Sequence, residues 1–272
     1  MWEKLQNIDR RWIYLLMAIA IAIPILKPMG LPIRISDETQ TVFDAINSLK
    51  AGDVLWIGGD YGPSSAPELS PMLMVMLHHA FKKNVKVVIY CMWNDGAQLV
   101  QPIGEKIAGT YNKKYGEDWI NLGWKPQPDV VLRNMTDDIV KAGINDFTGK
   151  PLGGYPLIQQ VKKLDKQYVA FAVDLSTGSP GTSEYLKYVR EAKGIPLSVG
   201  VTAVSAPGAM PYVRSGQYKG ILNGMRGAAE YELLNKMPGP AVKGMDAQSV
   251  GHFVILLLVI LGNVGYLLAR KS

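Results

Sequence analysis

The chain has little of what catalytic and metal centres are usually built from. Its 272 residues carry one cysteine, Cys91, and three histidines, His78, His79 and His252. A lone cysteine cannot close an intramolecular disulfide, so the fold does not depend on oxidation. His78 and His79 are adjacent, and neighbouring side chains on a helix point about 100° apart rather than sharing a face as an i, i+4 ligand pair does, so no metal site is expected. Gly-x-x-x-x-Gly-Lys-Ser/Thr is missing. Gly58-Gly59-Asp60-Tyr61-Gly62 has the wrong glycine spacing for a dinucleotide turn, so no cofactor is expected either. A basic stripe is lacking as well. The 29 Lys and Arg against 23 Asp and Glu leave a net charge of +6, but the lysines sit in isolated pairs such as Lys82-Lys83, Lys113-Lys114 and Lys162-Lys163. Nucleic acid is therefore not an expected partner. A mild positive excess suits a protein beside anionic lipid headgroups.

What is present is apolar sequence in two uncharged runs, from about Trp12 to Leu26 and from about Phe253 to Leu268. Each approaches the roughly 20 residues that cross a bilayer. The expected organisation is a short basic tail (1–11), a first transmembrane helix (12–29), an α/β extramembrane domain (30–249), a second transmembrane helix (250–269) and a second basic tail (270–272). A cleavable signal sequence is the alternative for the first run. However, Pro24, Lys27 and Pro28 stand where a cleavage site would fall. Lys4, Arg10, Arg11, Arg270 and Lys271 concentrate positive charge in the tails, which places both termini on the cytoplasmic side of an inner membrane and the domain outside. The lipid bilayer is thus the first expected partner.

Between the runs, short apolar strands alternate with amphipathic helices. Asp37 with Gln40 opens a helix. Strands follow at Asp53–Ile57 and Val85–Tyr90, the latter apolar at nearly every position and so covered on both faces. Ser70-Pro71 starts the helix between them. A helix near 98–115, a strand at 130–133, a strand at 168–174, a helix at 182–193 and a strand at 197–201 complete the pattern. The residues 116–154, rich in Gly, Pro, Asn and Asp, read as an elaboration on the core. This alternation predicts a mainly parallel sheet with flanking helices, the layering of a Rossmann-like domain.

Ligands of such sheets bind beyond the carboxyl ends of the strands. There the sequence offers Asp60 and Tyr61, then Asn94 and Asp95, then Asp174 and Ser176. Each of these types also makes turns and caps helices, so a pocket is not required to explain them. Gly216, Gly220, Gly224 and Gly227 recur every three or four residues and would share one face of a helix spanning 211–236. At about 1 kcal/mol per glycine, that face needs a close partner, within the chain or on a second copy. Met72 and Met76 lie on a helix apolar all round, and Ala18, Ala22 and Asn263 offer close approach and a hydrogen bond between membrane helices. The expectation is a non-enzymatic, double-anchored membrane protein that self-associates or joins other membrane-protein subunits as scaffold or accessory subunit. The alternative is a membrane-anchored binding or sensing domain for a small polar ligand at the strand-end loops. A serine hydrolase using Ser176, Ser179 or Ser205 is a third reading.

Overall fold

A computed structural model describes residues 9–143 and 145–269. The tail residues Lys4, Arg270 and Lys271 lie outside them. Six strands, β1 (Val54–Asp60), β2 (Lys86–Tyr90), β3 (Trp119–Asn121), β4 (Phe171–Ser176), β5 (Leu197–Val201) and β6 (Ile221–Asn223), form one sheet. Every pairing is parallel, in the order β3-β2-β1-β4-β5-β6. The strand order therefore reverses between β1 and β4, where crossovers leave to opposite sides. β1 is buried at all its positions, which its uninterrupted apolar run requires when both faces are covered.

Helices α2 (Asp37–Asn47), α3 (Ala66–Lys82) and α4 (Asn94–Thr110) precede or join the first strands. On one face Leu55, Ile57, Val87, Ile89, Val173 and Leu175 pack against Met72 and Met76 of α3. On the other, Trp56, Val88, Ala172 and Val199 pack against Leu132 of α5 (Pro128–Met135) and against Tyr185 and Val189. Helix α6 (Ile139–Gly143), α7 (Pro156–Gln160) and a 3-10 turn (Leu152–Gly154) complete the elaboration over 116–154. Helix α8 (Thr182–Tyr185) widens into a π segment (Leu186–Glu191). It is followed by α9 (Ala206–Arg214), α10 (Gly224–Leu234) and α11 (Pro240–Ala269).

Several local expectations are corrected. The strand at 130–133 is the helix α5, started by Pro128; its fully buried residues, Leu132 and Met135, are three apart as on a helix face. α3 begins at Ala66, with Pro67 in its first turn, and takes Pro71 into its body. The continuous helix over 211–236 is instead α9, a turn, the edge strand β6 and α10. Gly216 and Gly224 have φ of +77° and +57°, which favours glycine and ends the elements there. Gly220 lets β6 approach α2, since a Cβ would stand 2.5 Å from the Glu38 carbonyl. Gly227 packs on the Leu222 backbone. The glycines therefore do not share a face, and these close approaches are internal. Met72 and Met76 are wholly enclosed by the same core.

Among the described residues one helix, over Pro240–Leu267, is long and apolar enough to cross a membrane. It begins at Pro240, about three turns into the domain rather than at residue 250. The helix α1 (Arg10–Leu26) has 17 residues and spans about 25 Å, short of the ~30 Å hydrocarbon thickness. It lies beside α11, with Ile21 against Gly251. Trp12, Tyr14, Phe253 and Tyr266 are among their many exposed apolar side chains. Carboxylates fasten the pair to the domain. Glu232 accepts from the N–H groups of Gly239, Ala241 and Val242 and so caps α11. Buried Asp246 accepts from Met29, Gly30 and Leu31 at 2.8, 2.9 and 3.0 Å. Glu230 accepts from the N–H and hydroxyl of Ser36, which caps α2.

Candidate functional site

The carboxyl ends of β4 and β5 border a cleft of about 680 Å³. The loop after β4 supplies Ser176, Thr177, Gly178 and Ser179. This Ser/Thr/Gly run cannot prolong a strand and turns instead: the Ser176 hydroxyl donates to the Gly178 carbonyl at 3.0 Å. One wall is α8 and its π segment, contributing Thr182, Ser183, Leu186, Lys187 and Glu191. The other is α9 and the turn after it, contributing Ala209, Tyr212, Gln217 and Tyr218. The two walls are joined where the Tyr218 hydroxyl donates to the Thr182 carbonyl at 3.1 Å and the Gln217 amide donates to Glu191 at 2.9 Å. Ser205 closes the strand-end side, its hydroxyl 3.0 Å from that of Thr202. Lys187 makes no ion pair among the described residues, and its ammonium lies 5.0 Å from the Tyr188 ring. Such a surface offers hydroxyl donors and acceptors, one cation (Lys187), one carboxylate (Glu191) and one exposed ring, Tyr212, 42% exposed and 5.5 Å from the Tyr218 ring.

Of the strand-end residues singled out from the sequence, Ser176 alone lines this cleft. Asn94 and Asp95 line a separate hollow of about 360 Å³ with Trp93 and Pro180. Tyr61 points into the opposite core and meets Ser70 at 3.2 Å. Asp60 and Asp174 do come together, across the β1–β4 pairing at the point of strand-order reversal, but both are fully buried. The indole of Trp93 donates to the Pro180 carbonyl at 2.8 Å and pins the loop after β4 over them.

This pair is electrostatically unusual. Asp60 accepts the Met92 N–H at 2.5 Å through one oxygen, while its other oxygen and both oxygens of Asp174 have no donor. Two buried carboxylates so placed cannot both stay ionised. Burial and the neighbouring Asp174 charge push Asp60 far above the usual carboxylate range. Burial pushes Asp174 up to about 7, opposed by its hydrogen bond with Asp60 and reinforced by Glu184. A single proton, held by Asp60 and donated to Asp174, supplies the missing donor. Burial and then the Asp60 charge also raise the Cys91 thiol, so it is a poor nucleophile. No histidine is among the described lining residues of the cleft. His78 and His79 lie on α3, bonded to Tyr111 and Tyr231.

The sequence carried a partial signal for the cleft, the polar run 176–183 after a strong strand. The opposite wall was missed because 211–236 read as one helix, which hid the turn holding Gln217 and Tyr218.

The chain is an α/β protein on a six-stranded, all-parallel sheet with flanking helices. No protein family matches it, and no curated protein does. A solved structure described as the crystal structure of AibC is similar at a TM-score of 0.32 and 13% identity, over 90% of this chain and 55% of that one. This chain thus spans about half the length of that structure, and a likeness so distant carries no statement about function.

Proposed function

We propose that this chain is a membrane-anchored domain that binds a small polar ligand in the cleft between α8 and α9. The cleft carries this reading: about 680 Å³ lies within the few hundred to a thousand cubic ångströms usual for ligand sites, with polar groups converging on an apolar floor. Its lining, rich in hydroxyls and carrying Lys187 and Glu191, favours a hydroxyl-bearing molecule of at most one negative charge, placed with that charge at Lys187. The test is thermal unfolding of the detergent-solubilised chain against a panel of polyols, sugars and sugar phosphates. A ligand at a hundred times its Kd raises stability by about 2.7 kcal/mol. A panel that leaves wild type and Tyr212→Ala alike and unshifted sinks the reading.

The assembly reading keeps one supporting observation. Ala18 and Ala22 are exposed on α1, facing away from α11, and Gly262 has open space beside it. In a bilayer such small residues let another helix approach. Asn263 supports it less, because its amide donates to the Val259 carbonyl of its own helix at 2.9 Å. In this reading α1 and α11 both cross the membrane, α1 with its flanking residues, and further copies or subunits pack on the outer face of α1. Native mass spectrometry from a mild detergent separates the cases: a lone 29.8 kDa chain counts against assembly and leaves ligand binding untouched.

A further inference from the structure

The direction in which the anchors leave the domain fixes what the cleft can meet. α10 follows β6, so its first residues lie at the carboxyl ends of the strands. α11 returns antiparallel to it, passing Met225 at Gly244 and bringing Met245 and Gln248 beside Ala203 and Glu68. Ala203 belongs to the loop after β5 and Glu68 to the first turn of α3, both at that same end, where the Glu68 carboxylate accepts the Ala203 N–H at 2.9 Å. From Gly244 the helix runs on into its apolar segment, which starts about 10 Å further along the axis. α1 arrives at the same place, since Met29–Leu31 are tied to Asp246. Hence the carboxyl ends of the strands face the bilayer at close range. Val204 projects there, 89% exposed, and the next residue, Ser205, lines the cleft.

We propose that the cleft is a membrane-facing site for the headgroup of a polyhydroxylated, singly anionic lipid. This rests on the reading of the cleft as a ligand site and of α11 as a membrane span. The Ser179 and Ser205 hydroxyls at the mouth meet the phosphate, which lies next to the bilayer, and the Lys187 ammonium further in supplies its counter-charge; the Tyr212 ring and the Glu191 carboxylate take the hydroxyl-bearing ring beyond it. The apolar floor of Leu186 and Ala209 accepts the carbon face of that ring.

The protein's single thiol is buried, so introduced cysteines label selectively. In lipid nanodiscs, a fluorophore on Val204→Cys should be quenched by nitroxide attached to lipid headgroups, and one on Ala192→Cys, at the far end of the sheet, should not. Strong quenching of both alike overturns the orientation, and quenching of neither overturns the close approach of the strand ends to the bilayer. Binding is read by native mass spectrometry from nanodiscs holding phosphatidylinositol or phosphatidylglycerol, which share a charge but not a hydroxyl count. Retention of phosphatidylinositol about tenfold above phosphatidylglycerol, lost in Lys187→Ala and Tyr212→Ala, is the expected result. Equal retention overturns the headgroup assignment. Free inositol phosphate binding as tightly as the lipid overturns the lipid source while leaving the cleft a ligand site. Binding of neither overturns both.

Discussion

Asp60 and Asp174 show how far residue identity alone reaches. Each was legible as a strand-end acid, and their adjacency follows from the β1–β4 pairing, but their burial under the loop pinned by Trp93 depends on a tertiary hydrogen bond with no sequence signature. The consequence is a pH dependence with a definite sign. Burial pushes Asp174 up to about 7, above the usual carboxylate value of about 4. The folded state therefore binds the proton more tightly than the unfolded chain does. Stability is greatest below the unfolded value and falls as pH rises from about 4 to about 7, with a loss on the order of 4 kcal/mol from Asp174; it goes on falling above that because Asp60 is raised as well. Asp174→Asn removes the second buried carboxylate and gives Asp60 an amide donor. It should raise stability at pH 8 by roughly 1–3 kcal/mol and flatten the slope between pH 4 and 7. Urea unfolding at pH 5 and pH 8 checks this. A variant weakened more at pH 8 than at pH 5 would refute the shared proton.

Elements were readable in proportion to their length. β1, β2, β4 and β5 have five to seven residues of nearly continuous apolar sequence, and each was found within a few residues. β3 and β6 have three residues each. They are edge strands pairing on one side, too short for any periodicity to register. The glycines of 216–227 recur at helical intervals for unrelated reasons, two of them in turns and two in close contacts, so spacing misled where backbone geometry decided. Helix α4 allows the two roles of glycine to be separated within one element. At Gly96 an added Cβ would stand 1.9 Å from the Gly59 carbonyl oxygen, because the start of α4 rests directly on β1. At Gly109 nothing lies within 4 Å. Gly96→Ala should cost roughly 2–3 kcal/mol through forced separation of helix and strand, while Gly109→Ala should stabilise by about 1 kcal/mol through helix propensity. Denaturant midpoints of the two variants test both, and a neutral Gly96→Ala would mean that α4 is free to move off the sheet.

At the scale of the whole molecule, the apolar runs could be read from sequence. Their union with the domain could not, because it is made by acids from the last fifth of the chain, two of which, Glu230 and Asp246, reach back to its first while Glu232 caps α11. Asp246 is the central fastening. It lies on α11, is fully buried, and takes three backbone N–H groups of the segment that leads from α1 into α2. A carboxylate can accept from all three, whereas an amide in its place turns one donor NH₂ toward the N–H groups. Asp246→Asn should therefore leave at least one of these N–H groups without an acceptor and cost roughly 2–3 kcal/mol locally. The sheet does not touch this fastening, so the loss should show as fraying of residues 27–36 before global unfolding. Arg34 is an exposed tryptic site in that segment, whereas Lys27 is followed by Pro28 and resists cleavage. In limited proteolysis of the detergent-solubilised chain, the variant should be cut after Arg34 several-fold faster than wild type, with the unfolding midpoint of the sheet shifted much less. Unchanged cleavage after Arg34 would show that Glu230 and Ser36 hold the segment without Asp246, and that the union of α1 with the domain is set further into the fold, at the start of α2.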